Sequence, residues 1–248
     1  MEISMKKYLT LLFASGLPFC HAETIYVAVA SNFAKPAHEI AAQFEKTTGV
    51  TVSISAAGTG VLANQIKSNA PYQVFLSADA TTTKMLAQAN LAVESSEFTY
   101  ARGQLVLLNA NGALINPAQV LTAMKYQRIA LANPKLAPYG VAAYAVLKHY
   151  KLLPAVESKI VEGDNINATY QYVASKNVDL GFVALSQVIL DKDIKTTSYW
   201  RIPAAITPLI EQNAILLTKG QSNKSAREFL NYLQSSVAKQ VIAKYGYQ

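Results

Sequence analysis

Cysteine is all but missing from this chain of 248 residues: Cys20 is the single example, so no disulfide can form within it. Histidine is nearly as scarce, with only His21, His38 and His149. There is no H-E-x-x-H zinc pair, no G-x-S-x-G elbow and no placed cysteine nucleophile, which removes the common hydrolytic chemistries. A tyrosine-and-carboxylate cation site is missing too, because Tyr170 and Tyr172 stand two apart on an expected helix and face different ways. Arginine occurs four times, at Arg102, Arg128, Arg201 and Arg227, and the lysines are scattered. The net charge of +7 is therefore spread over a solvated surface, without the clustered cations that nucleic acid requires. Beyond the first 22 residues no apolar run reaches bilayer length, and no repeat or low-complexity tract appears.

What is present begins with an export pattern. Lys6-Lys7 form a basic start, residues 8–17 a short apolar run, and Cys20-His21-Ala22 ends on a small residue before Glu23. Residues 1–22 are expected to be a signal peptide. Lipid attachment at Cys20 is disfavoured by Pro18-Phe19, which are poor substitutes for the small residues that precede a lipidated cysteine. Cleavage after Ala22 leaves a cysteine-free chain with a core large enough for one domain or two lobes.

From residue 23 on, strand-like and helix-like segments alternate, the pattern of an α/β fold with largely parallel sheets. Strands are expected over 24–30, 50–55, 73–77, 104–108, 128–132, 159–162, 180–184 and 213–218, with a brief extended piece over 200–203. Helices are expected over 33–47, 61–68, 81–89, 117–124, 140–150, 166–175, 186–190, 226–235 and 238–245. The second series repeats the strand-then-helix logic of the first. Two lobes follow: 23–103 as the first part of lobe 1, 104–203 as lobe 2, and 204–248 as the crossing and return to lobe 1. Chain crossings are expected over 100–105 and 202–212.

Two short polar loops stand between a β-run and a helix. They are Val27-Ala28-Val29-Ala30-Ser31-Asn32 and Val52-Ser53-Ile54-Ser55-Ala56-Ala57-Gly58-Thr59-Gly60. Free backbone N–H groups and a hydroxyl at a helix start make an anion seat, because the orphan donors and the positive dipole end point the same way. Ser31 and Thr59 have a plainer use as N-caps, and Asp79 reads as a cap as well. A rival of another class comes from Gly58-Thr59-Gly60-Val61-Leu62-Ala63. It matches the G-x-G-x-x-A dinucleotide fingerprint, with Asp79 ending the next strand about 20 residues on. Export and the short helix over 61–68 weigh against a nicotinamide enzyme.

The chain resembles the periplasmic molybdate-binding proteins that feed ABC importers. The likeness is carried by Ala28-Val29-Ala30-Ser31, by Gly58-Thr59-Gly60 with Leu62-Ala63 and Gln65-Ile66, and by Ala70-Pro71 leading to Val74-Phe75-Leu76-Ser77-Ala78-Asp79. It continues through Ala132-Asn133-Pro134, Pro138-Tyr139-Gly140, Asp164-Asn165-Ile166, Leu180-Gly181-Phe182-Val183-Ala184 and the closing Lys244-Tyr245-Gly246-Tyr247. The resemblance implies an α/β, two-lobed type-II periplasmic binding protein fold, each lobe a mostly parallel sheet flanked by helices. It implies no enzyme activity, no cofactor and no bare metal cation. The ligand is a molybdate oxyanion, with tungstate as an alternative, and the partner is a membrane permease; a monomer is expected.

Carried over by position, Ser31 and Thr59 each offer a hydroxyl and a backbone N–H, and Asn32 stands where some members have a contacting asparagine. Tyr139 and Ile166 offer backbone N–H groups from the second lobe. A tyrosine whose hydroxyl binds in other members falls on Ala184 here, a gap that Tyr139 is expected to close in part. Gln73 replaces an acidic residue of the family and is expected outside the anion shell.

Overall fold

A computed structural model describes residues 23–248; the expected signal peptide over 1–22, with Cys20, lies outside the described residues. In chain order the first part comprises β1 (Thr24–Ala30), α1 (Ala34–Thr48), β2 (Thr51–Ala57), α2 (Thr59–Lys67), β3 (Val74–Ser77), α3 (Ala80–Gln88) and β4 (Phe98–Gly103). The second comprises β5 (Leu105–Asn109), α4 (Pro117–Ala123), β6 (Ile129–Ala132), α5 (Pro138–His149), α6 (Leu153–Val156), β7 (Ile160–Gly163), α7 (Ile166–Ala174), β8 (Leu180–Ala184), α8 (Leu185–Val188) and β9 (Tyr199–Arg201). Then come β10 (Ile210–Leu216), α9 (Lys224–Tyr232) and α10 (Ser236–Lys244).

These elements build two five-stranded sheets, ordered β2-β1-β3-β10-β4 and β7-β6-β8-β5-β9. In each sheet one strand, β10 or β5, runs against the other four. The fold class is the one the resemblance implied. Helices cover both faces of each sheet, which is why β1, β6 and β8 read as unbroken apolar runs rather than alternating ones. On α1 the residues Ala37, Ile40, Ala41 and Phe44 repeat at helical spacing and are buried. Gly49 ends that helix at φ 74°, its N–H returning to the Glu45 carbonyl, a left-handed cap that costs glycine nothing. Phe44 meets Phe229 and Tyr232 edge-on at 5.3 and 5.4 Å between ring centres. Truncating such a fully buried ring to alanine costs about 3–5 kcal/mol.

Two elements are additional to those expected. β4 is an edge strand with only Ala101 buried, so its pattern lacked the apolar signal of an inner strand. The short helix α6 follows Leu152 and carries Pro154 in its first turn. The chain passes from one sheet to the other at Gln104, between β4 and β5, and returns over 202–209. No helix among the described residues is long and apolar enough to cross a membrane.

Candidate functional site

At the carboxyl ends of β1, β2, β6 and β7 the chain turns into helices, and these four turns face one another across the gap between the sheets. They border a small, tight cavity of about 10 Å3. Ala30, Ser31, Asn32, Gly58, Thr59 and Ala78 line it from one side, with Ala137, Pro138, Tyr139 and Ile166 opposite. All five candidate residues thus meet in one place. None of the lining residues is Asp, Glu, Lys, Arg or His.

Each turn withholds at least one backbone donor from the protein's own bonding. At α5, Pro138 has no N–H, while the N–H groups of Gly140 and Val141 go to the Ala137 carbonyl at 2.9 and 3.4 Å. The Tyr139 N–H is what remains of that helix start. At α7 the cap Asn165 accepts from the N–H groups of Asn167 and Ala168 at 2.9 and 3.0 Å and leaves the Ile166 N–H to the cavity. At α2 the cap position is Gly58, which has no side chain to spend on Thr59. The Thr59 hydroxyl accepts the Ala78 N–H at 3.2 Å, so its own proton is free to donate. Neither Thr59 nor Ser31 sits at an N-cap position, which Gly58 and Ala30 hold, and neither helix start has a side-chain cap bond.

Asn32 is held differently. Its side-chain amide donates to Gln212 Oε1 at 2.7 Å and to the Tyr247 hydroxyl at 2.9 Å, which uses both of its protons. Its carbonyl accepts from the Tyr247 hydroxyl at 2.8 Å and from Ser186 Oγ at 2.9 Å. Its backbone N–H is what it can offer a ligand. Gln212 reaches Asn32 from a β-bulge in β10, between Gln212 and Asn213. Burial pushes the Tyr247 phenol up to about 12, so it stays a donor. Around this knot Phe33 meets Tyr100 and Tyr247 edge-on at 4.8 and 5.3 Å. Asn32 was expected from position alone; its partners lie so far along the chain that no local signal announces them.

The Tyr139 side chain packs toward the crossing between the sheets. Its hydroxyl is buried without a partner and packs where a Cβ on Gly103 would stand, beside the Gln212 amide. That places it next to Gly103 and the crossing at Gln104. Ala184 itself is buried in β8, its N–H bonded to Gln187 Oε1 at 2.9 Å, and does not line the cavity. Gln73 lies outside the cavity, exchanging bonds with the Tyr26 backbone at 2.8 and 3.0 Å. Asp79 caps α3 through the Thr82 N–H at 2.6 Å. His38 and His149 are exposed on α1 and α5, and no group of three His, Cys, Asp or Glu gathers among the described residues.

The dinucleotide reading of Gly58-Thr59-Gly60 fails on space. The Gly60 N–H donates to the Leu136 carbonyl at 2.9 Å, so backbone of the facing lobe occupies the position a pyrophosphate would need.

Two α/β lobes joined by two crossings, with convergent helix starts between them, define a bacterial two-lobed binding protein. The family of bacterial extracellular solute-binding proteins matches residues 25–248. The molybdate-binding protein ModA of Azotobacter vinelandii is 42% identical over 250 residues, covering 100% of this chain and 99% of that protein. ModA of Rhodobacter capsulatus is 38% identical, covering 96% and 93%. The solved A. vinelandii periplasmic molybdate-binding protein matches with a TM-score of 0.86 at 36% identity, covering 90% of this chain and 98% of that one. The chain belongs to the bacterial extracellular solute-binding proteins and, among them, to the ModA molybdate-binding proteins.

Proposed function

We propose that this protein captures molybdate, and tungstate as well, between Ser31, Asn32, Thr59, Tyr139 and Ile166 and delivers it to the membrane permease of an ABC importer. It is a transport receptor, not an enzyme; the ligand leaves unchanged and no cofactor takes part. Export by the N-terminal segment and action as a monomer complete the reading.

One observation carries it: a small cavity without a charged side chain, ringed by four helix starts from both lobes. Stripping water from a dianion costs tens of kcal/mol in the apolar limit. A single helix terminus returns at most about 2 kcal/mol, and a hydrogen bond to a charged group about 1.5–3 kcal/mol. Many donors on several helix starts are therefore required, and the two hydroxyls and five N–H groups of the candidate residues meet that need. The uncharged wall also selects the protonation state. A carboxylate acceptor would favour a protonated oxyanion such as hydrogen phosphate, whereas a donor-only wall suits one that carries no proton. Since each lobe supplies part of the set, the anion favours the closed arrangement that completes it.

Titration calorimetry with molybdate, tungstate and sulfate tests the reading. Molybdate and tungstate should bind alike. Sulfate, with shorter bonds to oxygen, should compete poorly, because it leaves donors of a larger seat out of reach. Displacement of molybdate by an equal concentration of sulfate would remove the size argument.

A further inference from the structure

We infer that Gly58 and Gly60 are positioning residues for lobe closure: their missing side chains let the backbone of the second lobe dock against the first beside the anion cavity. This rests on the reading of that cavity as the ligand site. Neither glycine is needed for its backbone angles. Gly58 sits at φ −63° and ψ 143°, which any residue adopts, and Gly60 lies within the first turn of α2. Both carry a local disadvantage. Position 58 is an N-cap, where Ser, Thr, Asp or Asn would bond the helix, and glycine inside a helix is inferior to alanine.

The reason lies across the gap. A Cβ on Gly58 would stand 3.0 Å from the Leu136 carbonyl oxygen and 3.2 Å from that of Asp164. One on Gly60 would stand 3.2 Å from Leu136 Cα and from the Lys135 carbonyl oxygen. Every one of these atoms is backbone of the facing lobe, so no side chain can swing aside; relief requires that backbone to give by a few tenths of an ångström, which moves the facing lobe outward.

The opposing loop is built to hold its position. The Asn133 carbonyl accepts the N–H groups of Leu136 and Ala137 at 3.0 and 2.9 Å, and its side chain accepts that of Lys135 at 2.9 Å. The Asn133 N–H is tied to the Gly163 carbonyl at 2.8 Å. The Leu136 carbonyl is thus presented rigidly to the Gly60 N–H, which bonds it at 2.9 Å. The first turn of α2 is divided: Thr59 faces the anion and Gly60 faces the other lobe. Closure accordingly has a component that needs no ligand, and the two neighbouring donors serve separate halves of one event.

Gly60→Ala and Gly58→Ala test this in the mature chain, by molybdate titration, stopped-flow release, melting and small-angle scattering. For each variant we expect affinity to fall about tenfold, chiefly through faster release, with the preference for molybdate over sulfate kept. The ligand-free form should be more open than the wild type. Its melting temperature should not fall, and for Gly60→Ala it should rise, because alanine is the better helix former. Wild-type affinity in both variants overturns the inference. So does a lowered ligand-free melting temperature that accounts for the weaker binding, which would make the glycines merely structural. Failure of the wild type to bind molybdate would instead sink the receptor reading. The ligand-free scattering of wild type and variants would then still decide the docking role.

Discussion

The two lobes bring different chemistry to the same cavity. On the proposed reading the first offers hydroxyls as well as backbone, through Ser31 and Thr59, and the second offers backbone alone, through Tyr139 and Ile166. Donors of the first kind can be deleted by changing a side chain. Those of the second kind survive any substitution that keeps the helix start in place, so they depend on Pro138 and Asn165, which fix which N–H is left over. On that proposed reading, selectivity rests on side chains on one side of the gap and on frame geometry on the other.

The largest effect expected from breaking that contrast is the loss of both hydroxyls. Ser31→Ala with Thr59→Ala should weaken molybdate binding about a hundredfold or more, since each hydrogen bond to a charged group contributes about 1.5–3 kcal/mol. Calorimetry on the double variant checks this, and a loss under about threefold would put both lobes on the same footing.

Next comes the frame of the second lobe. Asn165→Ala frees the N–H groups it caps and should lower stability by about 0.5–2 kcal/mol. Binding should weaken severalfold as the α7 start loosens, read by denaturant melts beside titration.

Smaller still is the expected effect of the second lobe's side chains. Ile166→Val should leave affinity within about threefold. Tyr139→Phe, which removes the hydroxyl, should do the same, because on this reading the residue serves the ligand through its backbone N–H. A large loss in Tyr139→Phe would return that hydroxyl to the ligand.

The smallest expected effect is that of pH. Tyr139 is the one titratable side chain on the wall, and burial pushes its phenol well above the ordinary range. The protein's side of binding should stay flat from about pH 6 to pH 9. Under alkali the sign is set by Tyr247, raised from 10.0 to about 12. Its contribution to stability is complete below pH 10 and is lost as the pH climbs through its folded value. Alkaline melts of wild type and Tyr247→Phe should differ in that window.

Much of the fold was legible because strands such as β1 and β8 are unbroken apolar runs and α1 repeats at helical spacing. β4 was not, since an edge strand with one buried residue has little apolar pattern to show. At the site, hydroxyls ahead of helices announced themselves through residue type. Donors from bare backbone could be named only by resemblance, because nothing in the Ile166 side chain marks its N–H. The role of Asn32 was hidden by distance, its partners Gln212 and Tyr247 lying 180 and 215 residues away. The close approach at Gly58 and Gly60 was hidden for the same reason: the motif is local, but the backbone that faces it comes some 75 residues later in Leu136.

The reversed strand β10 has a consequence for how the molecule is made. Within its sheet β4 has no neighbour except β10, and β3 awaits the same strand on its open edge. Residues 210–216 emerge only after the whole second sheet, so a chain growing from its N-terminus cannot finish its first half until it has completed its second. A polypeptide cut short between β4 and that strand leaves β3 and β4 without the partner both need, as open edges that invite association.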